Sequence, residues 1–165
     1  MDRVDYESIV IQDLLNIYSN DELDIKPWYQ RNPVWTTPQK AYLINTLFVH
    51  MPVPSLYIRH YLDVDSEKSV KEVVDGQQRV RSIIGYANDE FKARHPQHKR
   101  PVFFSDLTPT QRTDFKMSKL SVGYLINADD ADVIEIFGRL NWMSKALNDQ
   151  EKRNAKFGGE FKQFA

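Results

Sequence analysis

The stretch Val73–Ala87, VVDGQQRVRSIIGYA, decides how this chain is read. Val73 and Val74 are β-branched and lead in as the end of a strand. Asp75-Gly76 breaks the run, as Asp-Gly pairs do in turns. From Gln77 onward Val80, Ile83, Ile84 and Ala87 recur at helical spacing, which predicts a helix over Gln77–Phe91. DGQQR, residues 75–79, therefore stands at a strand-to-helix junction.

Two readings are open at that junction. In the first, Asp-Gly is a turn, and Gln and Arg are ordinary helix formers. In the second, the junction is a cradle for phosphate. A helix start offers unpaired N–H groups and partial positive charge. Gly76 lets a ligand approach the backbone. Gln77 and Gln78 carry amide donors, and Arg79 carries a planar fork suited to phosphate oxygens. Asp75, at the strand end, suits a magnesium ion or a water. Arg79 and Arg81 lie two apart and point to different helix faces.

Outward from the junction, Val70–Asp75 and Ser55–Leu62 read as a β-hairpin joined by the polar turn Asp63–Lys68. Upstream, Ser8 is read as the cap of a helix carrying Ile9, Val10, Leu14, Leu15, Ile17 and Tyr18. Leu23–Pro27 reads as a short strand stopped by proline. Thr37-Pro38 reads as cap and first position of a helix with Ala41, Leu43, Ile44, Leu47 and Phe48 inward. Between them lies WYQRNPVW, residues 28–35. Its rings and guanidinium suit a base stacked beside a phosphate held by Arg31. They equally suit a packed aromatic corner with Arg31 in an ion pair.

Downstream, Lys92–Arg100 reads as an exposed basic loop open to DNA or simply solvated. Val102–Phe104 is expected as a short strand. Thr108–Gln111 opens a helix, and Leu120–Ile126 is a strand. Asp129, Asp130 and Asp132 are taken as helix-start acids rather than a metal cluster. The helix they open carries Val133, Ile134, Ile136, Phe137 and Leu140. Trp142 and Met143 are expected in the core or at a domain interface. A last helix is read over Asn148–Phe157, with Gly158-Gly159 as its stop. Strands and helices mix without a βαβ rhythm, so the class expected is α+β.

Bulk properties narrow the functions. The 165 residues suit one domain and are 41% hydrophobic, enough for a core. Net charge is −1, so no global field draws the chain to polyanions, and any phosphate site must be local. There is no cysteine, which excludes disulfides and thiolate chemistry. His50, His60, His95 and His98 form no HxxxH or HExxH pattern. The polar start MDRVDYES and the lack of a long apolar run lead us to expect a cytoplasmic chain with no membrane partner.

The ordered set PWYQRNPVW, QKAYLINTLFVHMPVPSLYI, EVVDGQQRVRSIIGYA, IFGRLN and LNDQEKRNAKFGGEF resembles the DGQQR family. That family is typified by the amino-terminal domain of GmrSD modification-dependent restriction enzymes. The resemblance runs from about Leu23 to Phe161. The family is similar in turn to the ParB and sulfiredoxin fold, so it implies one nucleotide-binding domain over residues 1–165, with a small mixed sheet flanked by helices. By that likeness Asp75, Gly76, Gln77, Gln78 and Arg79 match the phosphate box, and Tyr29, Gln30 and Arg31 match the family's earlier box. Asn141, Leu147 and Glu151 keep the spacing of a segment whose Asn helps bind magnesium. The residue before that Asn is acidic in ParB-like clamps and is Leu140 here, which brings in Asp75 and Glu135 as substitutes.

The resemblance implies hydrolysis of a nucleoside triphosphate with Mg2+, through Asp75, Arg79 and Arg31, coupled to restriction of foreign DNA. No HNH-like histidine cluster is seen, so a nuclease domain or subunit is the expected partner for cutting. Direct recognition of DNA, modified DNA included, is the rival reading, and a weak nuclease working through the DGQQR pocket is a third.

Overall fold

The computed structural model describes residues 1–25 and 34–158. These fall into two compact units, residues 1–128 and the helix-bearing part that starts at Asp129.

The first unit is built on five strands in the order β1-β5-β3-β4-β2. They are β1 Arg3–Val10, β2 Leu23–Asp24, β3 Leu56–Leu62, β4 Ser69–Asp75 and β5 Lys119–Ile126. β1 pairs antiparallel with β5 and β3 antiparallel with β4. β3 runs parallel to β5, and β2 parallel to β4. The helices of this unit are α1 Ile11–Ser19, α2 Thr37–Phe48, α3 Gln77–Ala87 and α4 Pro109–Lys116. The class is α+β with an open mixed sheet, as the sequence predicts.

The core lies on one face of the sheet. Leu56, Ile58, Val73, Leu120 and Val122 from the strands meet Leu14, Ile44, Leu47, Val80 and Ile83 from the helices, all buried. Each such side chain contributes roughly 1.5–3 kcal/mol by leaving water. An aromatic cluster closes the helical layer. Tyr86 packs on Phe48, Phe91, Phe104 and Phe115 with centroids 5.5–6.1 Å apart, and its hydroxyl donates to the Val102 carbonyl at 3.1 Å.

Several local expectations are corrected. Ser8 is no helix cap: it lies in β1 opposite Ser121, and α1 starts at Ile11. The polar residues of β1 belong to an edge strand that needs no continuous apolar run. The cap of α2 is Thr36, one residue earlier than predicted, and its N–H donates to the Gln39 side chain at 2.8 Å. α3 ends at Ala87 rather than Phe91, because Asp89 turns left-handed and the Glu90 N–H closes on the Gly85 carbonyl. Val102 makes a single bridge to Ala93, and Phe104–Asp106 is a 3-10 turn rather than strand.

In the second unit, α5 is one helix, Asp130–Gly158, where two were expected. No proline or glycine interrupts the chain between Trp142 and Asn148. The acids at its start act as a cap: the Asp132 N–H bonds Asp129 Oδ1 at 2.8 Å, and the Asp129 N–H bonds Asp132 Oδ2 at 3.1 Å. Trp142 is 70% exposed, so it is not a core residue. No described helix is long and apolar enough to cross a membrane.

Candidate functional site

The DGQQR junction begins with a bulge. Tyr57 of β3 pairs with Asp75 while the next residue, Ile58, pairs with Val73, so Val74 is the extra residue on β4. A bulge re-aims the side chains next to it. Here it puts Asp75 in line with Tyr57. Leu56 and Ile58 point into the core, so by alternation Tyr57 belongs to the opposite face.

Gly76 then takes φ 104° and ψ 16°, the left-handed region. A Cβ at this position would stand 2.4 Å from Leu56 Cδ2 and 3.0 Å from Arg79 Nη2. Glycine is therefore required by both conformation and space. Gly76 is also the N-cap residue of α3, and it has no side chain with which to cap the helix's first N–H groups.

Arg79 folds back over the junction. Its Nη2 donates to the Ser55 carbonyl at 3.0 Å and meets Asp75 Oδ2 at 3.4 Å. The side chain is only 14% exposed, and its Nε is buried with no hydrogen-bond partner among the described residues. Burial pulls the guanidinium pKa down, and the Asp75 carboxylate pulls it partly back. The group stays charged, as arginine does in proteins. A largely buried cation whose neighbouring carboxylate oxygen is 3.4 Å away is an attractive seat for an anion.

The two glutamines have different surroundings. Gln77 is buried, and its Nε2 donates to the Val73 and Val74 carbonyls at 2.5 and 3.0 Å, tying α3 to the bulge. Gln78 Oε1 accepts the Trp35 N–H at 3.1 Å. Arg81 leaves by another face and donates to the Ile25 carbonyl at 3.3 Å. Tyr29, Gln30 and Arg31 lie outside the described residues. The residues on either side of that segment, Ile25 and Trp35, are both bonded to α3.

Trp35, Asp75, Gly76, Gln77, Gln78 and Arg79 line a concavity of about 120 Å³. Pockets for whole small molecules run from roughly 300 Å³ upward, so this one suits a phosphoryl-sized group. Asp75, with 27% of its side chain exposed, is the carboxylate available to a cation there. Asn141 lies on α5, in the second unit. No cluster of three metal-ligating side chains occurs among the described residues.

The sequence reading missed what stands beside the junction. Register places Tyr6, Gly123, Tyr57 and Asp75 side by side on four adjacent strands. The Tyr6 and Tyr57 hydroxyls are 3.0 Å apart. Alternating apolar residues flag β3 as a strand, but no local signal announces which strand Tyr57 will face. Tyr6 sits in a stretch read only as a polar start.

Compared with known families, residues 11–158 match the model described as GmrSD restriction endonuclease, N-terminal domain. No curated protein and no solved structure matches the chain.

Proposed function

The chain belongs to the GmrSD restriction endonuclease N-terminal domain family, and on that footing we propose that its Asp75–Arg79 junction binds, and takes part in hydrolysing, a nucleoside triphosphate. The observation that carries this reading is the buried guanidinium of Arg79. It lies against a left-handed glycine at a helix start, and Arg79 lines a phosphoryl-sized concavity together with Trp35, Asp75 and Gln78. Gly76 admits the phosphate, the first N–H groups of α3 and the Arg79 fork bind it, and Gln78 contributes its remaining amide donors. Asp75 would hold Mg2+, which when bound supplies neutralisation of phosphate charge. Arg31 would neutralise charge on the transferred phosphoryl group, with Tyr29 and Gln30 beside it. Gln77, with its donors given to β4, shapes the site rather than touching the ligand. The cut in DNA falls to a nuclease domain or subunit.

The test is calorimetric titration of ATP, GTP and CTP, each with Mg2+, into wild type, Arg79→Ala and Arg79→Lys. The expected result is binding by wild type that falls by more than about tenfold in Arg79→Ala, the scale of a lost charged hydrogen bond, with a smaller change in melting temperature. Equal losses of binding and stability would support the plain turn.

A second reading rests on a different surface. Lys92, Arg94, Lys99 and Arg100 are all exposed, and Lys92 and Arg94 line a groove together with the exposed Tyr42. Cations beside an exposed ring suit a nucleic-acid backbone and a base. If DNA binds there, free triphosphate leaves it in place. If DNA binds the Arg79 concavity, triphosphate displaces it.

A further inference from the structure

The face of the sheet opposite the core continues the Asp75–Arg79 site toward β1. Across that face run two adjacent cross-strand rows. The first is Tyr6, Gly123, Tyr57 and Asp75, and the second includes Ser8, Ser121 and Ser55. The Ser55 hydroxyl bonds the Ser121 hydroxyl at 2.9 Å, while the Ser55 carbonyl accepts Arg79. Hydroxyl groups thus lead from the buried guanidinium to the sheet edge.

Gly123 makes the first row possible. A Cβ there would lie 2.8 Å from both Cδ1 and Cε1 of Tyr57 and 3.0 Å from Val4 Cγ1. With only hydrogen at that point, the Tyr57 ring lies over β5 and reaches Tyr6. The rings meet edge to face, centroids 6.1 Å apart at 79°. Tyr6 is 61% exposed and Tyr57 half-buried, so a ligand can reach the pair.

We propose that the ligand seated at Arg79 extends over this row, that the Tyr57 hydroxyl donates a hydrogen bond to one of its phosphate oxygens, and that Tyr6 is the positioning residue that aims Tyr57. The step is a rotation of hydroxyl protons. Without ligand the pair shares one hydrogen bond. With ligand, Tyr6 donates to the Tyr57 oxygen, which frees the Tyr57 O–H for the phosphate. The row supplies a neutral donor next to a charged one, and the small Arg79 concavity leaves the rest of the ligand to be held elsewhere. This inference rests on the nucleotide reading above, and it assigns that site two residues and a glycine that the DGQQR motif does not contain.

The test compares wild type, Arg79→Ala, Tyr57→Phe, Tyr6→Phe, Gly123→Ala and the Gly123→Ala/Tyr57→Phe double variant. Each is titrated with MgATP, MgGTP and MgCTP, with melting temperatures taken in parallel. Tyr57→Phe keeps the ring and removes only the hydroxyl, so its melting temperature should hold while affinity falls about tenfold, the scale of one hydrogen bond to a charged group. Tyr6→Phe should weaken binding by a smaller factor. Gly123→Ala should weaken binding by displacing the ring, and should weaken it no further once the hydroxyl is already gone. A wild type that loses binding with Arg79→Ala but keeps it in Tyr57→Phe overturns this inference alone. A wild type that binds no triphosphate overturns the nucleotide reading and this inference with it.

Discussion

Gln78 Oε1 accepts the main-chain N–H of Trp35 at 3.1 Å, across 43 residues of sequence. With Arg81 on the Ile25 carbonyl, this makes α3 the anchor for both sides of the segment that carries Tyr29 and Arg31. A motif read as phosphate binding is thus also a clamp.

The two roles of Gln78 separate by substitution. Gln78→Glu keeps an acceptor for Trp35 but places a negative charge beside the phosphate. Its Trp35 amide should stay protected from hydrogen exchange while triphosphate affinity drops. Gln78→Ala should release the amide, raise its exchange rate and cost about 1 kcal/mol of stability, the usual worth of such a bond. Fast exchange at Trp35 in Gln78→Glu would show that charge, not the missing acceptor, disturbs the clamp.

Two residues along β3 from Tyr57, Arg59 Nη2 and Glu72 Oε2 form a buried ion pair at 3.0 Å. Removing Arg59 takes the cation away from a buried carboxylate, which costs roughly 3–5 kcal/mol. Arg59→Met alone should lose that much in urea unfolding. Arg59→Met with Glu72→Leu should lose far less, since neither charge remains. Equal losses in the single and double variants would mean that packing, and not the charge, sets the cost.

Much of this fold is legible in the sequence. The hairpin of β3 and β4 announces itself by a rough alternation before a polar turn and a valine-rich run after it, and the observed strands, Leu56–Leu62 and Ser69–Asp75, differ from expectation by one residue at one end of each. α3 is placed by Asp-Gly and the spacing of Val80, Ile83 and Ile84. β1 is not legible. It is an edge strand, so Asp5, Glu7 and Ser8 carry no apolar cost, and Ser8 before two apolar residues imitates a helix cap. The DGQQR box is visible because its chemistry is local. The Tyr6–Gly123–Tyr57–Asp75 row is invisible because it depends on pairing across more than a hundred residues and on a one-residue bulge at Val74.

The Tyr57 hydroxyl gives the site a signature in alkali. Its pKa is raised from 10.0 to about 12, first by the hydrogen bond with Tyr6, then by burial, with the Asp75 carboxylate adding and Arg79 opposing. The fold favours the neutral tyrosine, so its contribution is complete below the unfolded value near 10. It is lost as pH rises through about 12. Wild type should therefore lose stability over that window more steeply than Tyr57→Phe. The tyrosinate absorbance difference between the two proteins should titrate late. A difference spectrum centred near pH 10 would mean that Tyr57 ionises as a free side chain.

Gly76 carries two constraints that a mutant cycle can part. Its φ of 104° costs an L-residue roughly 1–2 kcal/mol. A Cβ would also collide with Leu56 Cδ2, an atom that Leu56→Val removes while keeping a buried aliphatic side chain. Gly76→Ala in wild type should cost both penalties in denaturant unfolding. In the Leu56→Val background it should cost only the conformational one. Equal costs in the two backgrounds would mean that the helix start shifts to relieve the contact and that backbone strain alone demands glycine. The new Cβ also stands 3.0 Å from Arg79 Nη2 whichever residue is at 56. Triphosphate affinity should then fall in both backgrounds, including the one in which the clash with Leu56 is absent.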